Sequence, residues 1–130
     1  MENRRHGVCY FSEGKASGTA VRNICSQNEA SGIAVGGQAQ PQLEGNTCEN
    51  NTYSGIAYLE SAGGVARQNV CRQNCLAGIW VQDQAYPLLE GNTCENNWQW
   101  LWPGLVWLLL LLLLWFPGDC GGKHKKKERR

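Results

Sequence analysis

The sequence predicts an all-β solenoid: a parallel β-helix of about four 23-residue coils over residues 1–97, followed by an apolar helical segment. The main observation is a repeat, because Asn23-Ile24-Cys25 recurs in similar form every 23 residues and a second Asn follows each Cys by three residues. Within each repeat, short runs of alternating apolar residues are separated by Gly, Asn, Pro and Ser, a pattern typical of strands and tight turns. Apolar residues do not recur at helical spacing over a useful length, so tandem helices are disfavoured. The repeated positions are Asn23/Asn46/Asn69/Asn92, Cys25/Cys48/Cys71/Cys94 and Asn28/Asn51/Asn74/Asn97.

The N-terminal residues are in phase with this repeat. Asn3 precedes Gly7-Val8 by four residues, as Asn28 precedes Gly32-Ile33. The first repeat contains two extra residues, which predicts a bulged loop at Ser12–Ser17. The chain therefore begins and stops in mid-repeat.

Successive coils of such a solenoid stack one strand spacing apart, roughly 4.8 Å, so equivalent residues form columns along its axis. Small inward residues are expected to build the core. The Asn columns are interpreted as turn corners, because Asn tolerates left-handed backbone conformations and stacked amides hydrogen-bond to one another. In two outward columns an Arg lies between two Glu, an arrangement that favours this register. The inward columns are Ile33/Ile56/Ile79, Val35/Tyr58/Val81, Leu43/Ala66/Leu89 and the Cys column, and the charged ones are Glu44/Arg67/Glu90 and Glu49/Arg72/Glu95.

The repeat Pro-x-Leu-x-Gly-Asn-x-Cys-x-x-Asn-x-x-x-Gly-Ile-x-Val, read from Pro41 through Tyr58 and again from Pro87, resembles the right-handed parallel β-helix repeat family. The similarity is to its pectate-lyase-like group and to its carbohydrate-binding and sugar-hydrolysis type repeats, which usually have Ile or Val in place of Cys. The resemblance implies a right-handed coil, but one fold hosts many activities. A leucine-rich repeat is the alternative, and it is disfavoured because residues 1–97 contain only five Leu.

The character of the chain changes after Asn97. Residues 98–117 form an apolar Trp/Leu segment, and Trp98–Phe116 is near the length of a transmembrane helix. Residues 118–130 are predicted to be a basic, disordered tail. Two interpretations stay open: a membrane anchor, or an aberrant gene end that follows a truncated repeat. No signal peptide opens the chain, so its localisation is not predicted.

The charge distribution argues against a nucleic-acid partner. The net charge is +1, but residues 1–122 contain ten acidic and six basic residues, so the excess of positive charge lies in the tail. Nucleic-acid binding needs a basic face on the folded body.

The sequence predicts candidate binding residues, but it predicts no catalytic residue, no metal site and no cofactor. Trp80 and Tyr86 are aromatic residues suited to stacking on a sugar ring, and Trp80 takes an outward position where other coils have Ala. Asp83 and Glu60 occupy one repeat position in neighbouring coils, so they form an acid pair, with a solvated pair favoured over a catalytic one. The Cys column is interpreted as inert core thiols, whereas Cys9 and Cys75 lie outside it and are expected to be more reactive.

These assignments favour a non-catalytic recognition or scaffold module that binds carbohydrate or protein on its flat stacked face. The chain is interpreted as a fragment of a longer solenoid, with self-association through uncapped ends as an expectation. The alternative is part of a polysaccharide lyase or hydrolase of the pectate-lyase-like group, in which clustered acids would act as Ca²⁺ ligands or as a catalytic pair.

Overall fold

A computed structural model describes residues 6–97 of the chain, and the secondary structure of this part consists of twelve short strands and turns, without a helix. Each coil contributes three strands, one to each of three parallel sheets. The strands are β1 (Val8–Ser12), β2 (Thr19–Val21), β3 (Ile24–Ser26), β4 (Ile33–Gly37), β5 (Gln42–Glu44), β6 (Thr47–Glu49), β7 (Ser54–Tyr58), β8 (Val65–Arg67), β9 (Val70–Arg72), β10 (Ala77–Val81), β11 (Leu88–Glu90) and β12 (Thr93–Glu95).

The three sheets run along the solenoid axis. Sheet 1 has the order β1-β4-β7-β10, sheet 2 has β2-β5-β8-β11, and sheet 3 has β3-β6-β9-β12. Pairs such as Ile33↔Ile56 and Cys48↔Cys71 stack with the spacing predicted from the sequence, whereas Val8 pairs with Ile33 at a spacing two residues longer. The extra residues lie between β1 and β2, which confirms the bulged loop. A parallel β-solenoid of about four coils is therefore confirmed, and the leucine-rich alternative is wrong.

Each coil bends at three corners, and in residues 6–97 eleven of these corners have a residue with a positive φ angle. One corner holds Gly37, Glu60 and Asp83 in successive coils. The other two corners hold Arg22/Gly45/Gln68/Gly91 and Gln27/Asn50/Gln73/Asn96. The residues of these last two corners directly precede the column Asn residues. The expectation that the column Asn residues themselves adopt the left-handed conformation is therefore wrong. The residue before each Asn makes the bend, which leaves the amide of the Asn directed at the neighbouring coils.

The Asn columns form hydrogen-bonded ladders that join successive coils. Asn51 Nδ2 donates to Cys25 O at 3.1 Å and to Asn74 Oδ1 at 2.9 Å, and Asn51 N also donates to Asn74 Oδ1. Asn51 Oδ1 in turn accepts from the backbone N and from Nδ2 of Asn28. One buried side chain therefore connects three coils. The Asn46 and Asn69 amides repeat this pattern in the second ladder, so the expectation that these columns satisfy buried carbonyls is confirmed.

The inward columns form one continuous core. Ile33, Ile56 and Ile79 are fully buried, as are the free thiols of Cys25, Cys48 and Cys71. The fourth Cys of the column, Cys94, is partly buried and packs against this core. In the two outward charged columns, Arg and Glu of neighbouring coils pair as predicted. Arg67 Nε lies 3.2 Å from Glu90 Oε1, and Arg72 Nε lies 2.8 Å from Glu49 Oε1. Each such surface pair contributes at most about 1 kcal/mol.

Tyr58 is an exception within this apolar core. Its side chain has no exposed surface, and its hydroxyl has no hydrogen-bond partner in the described residues. Burial raises the pKa of Tyr58 above its ordinary value of 10.0, and the nearby thiols of Cys71 and Cys48 raise it further. Tyr58 therefore cannot contribute to a surface site.

The predicted apolar helix at residues 98–117 and the basic tail at 118–130 lie outside the described residues. Within residues 6–97, no helix has the length and hydropathy needed to cross a bilayer.

We expect Asn51→Ala to lower the free energy of unfolding by about 3 kcal/mol, because buried polar groups left without partners cost about 1–3 kcal/mol each. The substitution leaves the backbone N of Asn28, Cys25 O and Asn74 Oδ1 short of a partner. Urea denaturation of the full chain, followed by circular dichroism, measures the change. Gln42→Ala, at an exposed position of β5, is the control and should alter stability little. Equal stability losses in the two variants would argue against the ladder.

We expect Tyr58→Phe to keep or raise the stability of the protein at pH 7, by up to about 1 kcal/mol, because it removes a buried hydroxyl that lacks a partner. The pH dependence gives a second measurement. The folded-state pKa of Tyr58 is raised, so the folded state keeps a proton that the unfolded chain loses, and stability should fall as the pH rises above about 10.

Tyr58→Phe should make this alkaline decrease smaller, as followed by urea denaturation between pH 8 and 11. Tyr86→Phe is the matched control, because Tyr86 is 46% exposed. An alkaline decrease of the same size in Tyr58→Phe and in the parent chain would contradict the burial of this hydroxyl.

Candidate functional site

The outer face of sheet 1 carries a shallow groove that we call the Trp80 groove. It has a volume of about 300 Å³, and aromatic and aliphatic side chains form most of its surface. Trp80 lies on β10, where its neighbours Ile79 and Val81 point into the core, so strand alternation places the indole outside. The lining residues are His6, Ser31, Tyr53, Ser54, Ala57, Leu59, Leu76, Trp80 and Gln82.

The Trp80 ring is held in place on this face. In the coil below, Ala57 pairs with Trp80, and a small side chain there leaves room for the indole. The indole Nε1 donates a hydrogen bond of 2.8 Å to Gln82 Oε1. An aromatic ring fixed by packing and by a polar edge presents an oriented apolar surface.

Polar groups surround this apolar surface. Tyr53 is 56% exposed. Ser31 and Ser54 lie deeper, and the backbone N of Ser31 donates to His6 Nδ1 at 3.2 Å. A groove with a few fixed polar groups around an apolar floor is typical of small-ligand sites.

The acid pair lies at the corner beside this sheet. Glu60 Oε1 accepts a hydrogen bond of 2.6 Å from Gly37 N, and Asp83 Oδ2 accepts one of 3.2 Å from Glu60 N. The two exposed carboxylates therefore form a third ladder that joins successive coils, like the Asn ladders. Glu60 also lines a separate shallow pocket with Phe11, Ser12, Glu13 and Gly37. Asp83 reaches the edge of the Trp80 groove, because Gln82 Nε2 donates to Asp83 Oδ2 at 3.4 Å.

Tyr86 lies apart from the Trp80 groove. Its ring covers Gly63, where an added Cβ would come within 3.0 Å of Tyr86 Cε2, and its hydroxyl accepts a hydrogen bond of 2.6 Å from Gln40 Nε2. The side chain thus spans two coils. Tyr86 and Trp80 do not form one aromatic surface.

The sequence prediction therefore identified one residue of the groove, Trp80, and missed its aromatic and apolar neighbours. The repeat contains a signal that could have found them. Positions 53 and 76 differ by one repeat, as do positions 59 and 82, so Tyr53/Leu76 and Leu59/Gln82 form columns. These columns flank the Ala57/Trp80 column, directly before and directly after β7 and β10.

The cysteines outside the column and the possibility of a metal site add little to this groove. Cys9 and Cys75 are free, and burial raises the pKa of the Cys9 thiol, which disfavours the reactive thiolate. In the Cys column, the hydrogen bond with Cys48 and burial raise the pKa of Cys25. Residues 6–97 contain no group of three or more His, Cys, Asp or Glu arranged to hold a metal ion.

Comparison with known proteins gives one result. No curated protein and no solved structure matches the chain significantly. A family model described as right handed beta helix region matches residues 1–104. This match covers most of the chain and agrees with the three parallel sheets and the stacked columns. The chain is therefore a member of the right-handed β-helix family.

Proposed function

We propose that this protein is a non-catalytic recognition module that binds carbohydrate in the Trp80 groove. The observation that carries the proposal is the position of Trp80, an aromatic side chain on the outside of sheet 1 whose indole is oriented by a hydrogen bond to Gln82. A sugar ring has an apolar face of C–H groups and a rim of hydroxyls. The flat indole complements that face, and hydroxyl and amide groups near it can exchange hydrogen bonds with the rim.

The size of the groove supports a carbohydrate more than a protein. Specific protein interfaces bury about 800 Å² on each partner and need many contact residues. The Trp80 groove is shallow, and its aromatic residues, the exposed Tyr53 and the half-buried Trp80, suit one or a few sugar rings.

The acid pair supports a binding function more than an enzymatic one. Glu60 and Asp83 each accept a backbone N–H from the neighbouring coil, so part of their hydrogen-bonding capacity serves the fold. A polysaccharide hydrolase or lyase needs carboxylates that face the bound sugar as acid, base or metal ligands. These two carboxylates do not line the groove that contains Trp80.

We expect Trp80→Ala to weaken glycan binding at least about tenfold, which corresponds to about 1.4 kcal/mol, because it removes the stacking surface. A glycan array identifies ligands of the full chain, and isothermal titration calorimetry with the best ligand measures the loss. Tyr86→Ala is the matched control: it removes an exposed aromatic ring outside the groove and should leave the affinity unchanged.

Circular dichroism of both variants checks that the fold is retained. Tyr53→Ala should also weaken binding, since Tyr53 lines the same groove. Glycan binding that survives Trp80→Ala but is lost in Tyr86→Ala would move the site to another face. The absence of any glycan bound by the parent chain would refute the carbohydrate proposal.

A further inference from the structure

The charge around the Trp80 groove carries an inference about the class of sugar, and it rests on the proposed function. The lining residues include no Lys, Arg, Asp or Glu. The one imidazole among them, that of His6, accepts a hydrogen bond from Ser31 N at Nδ1, so this nitrogen carries no proton in this arrangement. The polar groups of the groove are otherwise hydroxyls and amides.

The cations of the described residues lie elsewhere. In residues 6–97 they are Lys15, Arg22, Arg67 and Arg72. Arg67 is on sheet 2 and Arg72 is on sheet 3, and each is paired with a Glu. Lys15 is in the loop between β1 and β2, and Arg22 is at the corner after β2. Among residues 6–97, no guanidinium or ammonium group lines the Trp80 groove to bind a carboxylate, a role for which Arg is especially suited.

The Asp83 carboxylate, which is hydrogen-bonded to the lining residue Gln82, repels anions. Trp80, Gln82 and Asp83 form a hydrogen-bonded series in which the indole donates to Gln82 Oε1 and Gln82 Nε2 donates to Asp83 Oδ2. The Asp83 carboxylate is therefore one side chain away from the stacking surface. Glu60 adds a second negative charge in the next coil of the same corner, bonded to Gly37 N. A sugar carboxylate placed over the indole meets this field, and no Lys or Arg of the described part of the chain lines the groove to compensate it.

Calcium bridging does not remove the repulsion. A divalent cation could join an acidic sugar to protein carboxylates if the protein supplied several oxygen ligands. Within the part of the chain that the structure describes, Glu60 and Asp83 belong to no cluster of three or more metal-ligating side chains. Each of them also directs an oxygen at a backbone amide.

We propose that the Trp80 groove binds uncharged glycans and discriminates against uronic acids. The neutral hydroxyl groups of the sugar would bond to Gln82 and Tyr53, and the ring would stack on Trp80. Asp83 sets the discrimination by acting on the ligand through space, so it is a specificity residue and does not contact the sugar.

The test compares related ligands that carry or lack a free carboxylate. The full chain and its Trp80→Ala variant are titrated with oligogalacturonides and with their fully methyl-esterified forms, and with xylan oligosaccharides that carry or lack glucuronic acid. We expect Trp80-dependent binding of at least one uncharged member and at least tenfold weaker binding of its carboxylate counterpart. Raising the salt concentration from 50 to 500 mM should change the affinity for the neutral ligand little. It should reduce the difference in affinity between the neutral ligand and its carboxylate counterpart.

Two further variants separate charge from shape. Asp83→Asn keeps an oxygen that can accept the hydrogen bond from Glu60 N and a residue type that tolerates the left-handed backbone at this corner, but it removes the charge. It should reduce the discrimination severalfold. Glu44→Gln removes a charge from sheet 2, away from the groove, and should leave the discrimination unchanged.

The outcomes distinguish this inference from the function beneath it. Trp80-dependent binding in which uronates equal or exceed their neutral counterparts would overturn the inference and leave carbohydrate binding intact. An unchanged discrimination in Asp83→Asn would overturn the role of Asp83. No Trp80-dependent binding of any glycan on the array or in the titrations would overturn both the inference and the proposed function.

Discussion

The buried Asn amide that joins three coils is the interaction on which the rest of the molecule depends. A single coil has only short strands of three to five residues and cannot enclose a core. The ladder fixes the register of one coil on the next, because Asn51 donates to a carbonyl below and to an amide oxygen above. Once the register is fixed, the Ile and Cys columns stack and the charged pairs meet across the surface. The alternatives to this register would bury amides without partners, which is costly.

The repeat predicts these columns because two independent periods coincide in it. The 23-residue period places like residues above one another, and the two-residue period of a strand decides which of them face the core. The sequence alone is therefore enough to assign Ile56 to the core and Arg72 to the outside, between two Glu. Gly55 follows the same logic: an added Cβ would come within 2.7 Å of Gly78 O and 2.9 Å of Cys71 Sγ, so only Gly fits beside the Cys column.

Other features depend on three-dimensional contacts that the repeat does not encode. The tolerance of Asn for the left-handed backbone predicts that the column Asn residues adopt it, yet the preceding residue makes the bend, even when that residue is Arg22 or Gln68. A left-handed non-Gly residue costs about 1–2 kcal/mol, and the ladder formed by the following Asn offsets it. The repeat also predicts a surface pair of acids at positions 60 and 83, but it does not predict their bonds to backbone amides, which form only when the coils stack.

The candidate site illustrates the same limit. Trp80 can be recognised from the sequence as an outward aromatic residue, but Tyr53 comes from the preceding coil, so the groove exists only where the two coils stack. Tyr86 is an aromatic residue like Trp80, yet its ring lies over Gly63 and its hydroxyl accepts a hydrogen bond from Gln40. The stacking geometry therefore decides which aromatic residues can meet a ligand, and the function proposed for the Trp80 groove depends on the register set by the ladders.

Amide hydrogen exchange measured by NMR on the full chain tests the ladder most directly. The backbone amides of Asn46, Asn51 and Asn69 belong to buried residues and donate to the Oδ1 of an Asn one coil further on. They should exchange only through global unfolding and rank with the slowest amides of the protein. If instead they exchange as fast as the amides of the exposed loop between β1 and β2, the coils are not joined by buried Asn ladders and this account of the fold is wrong.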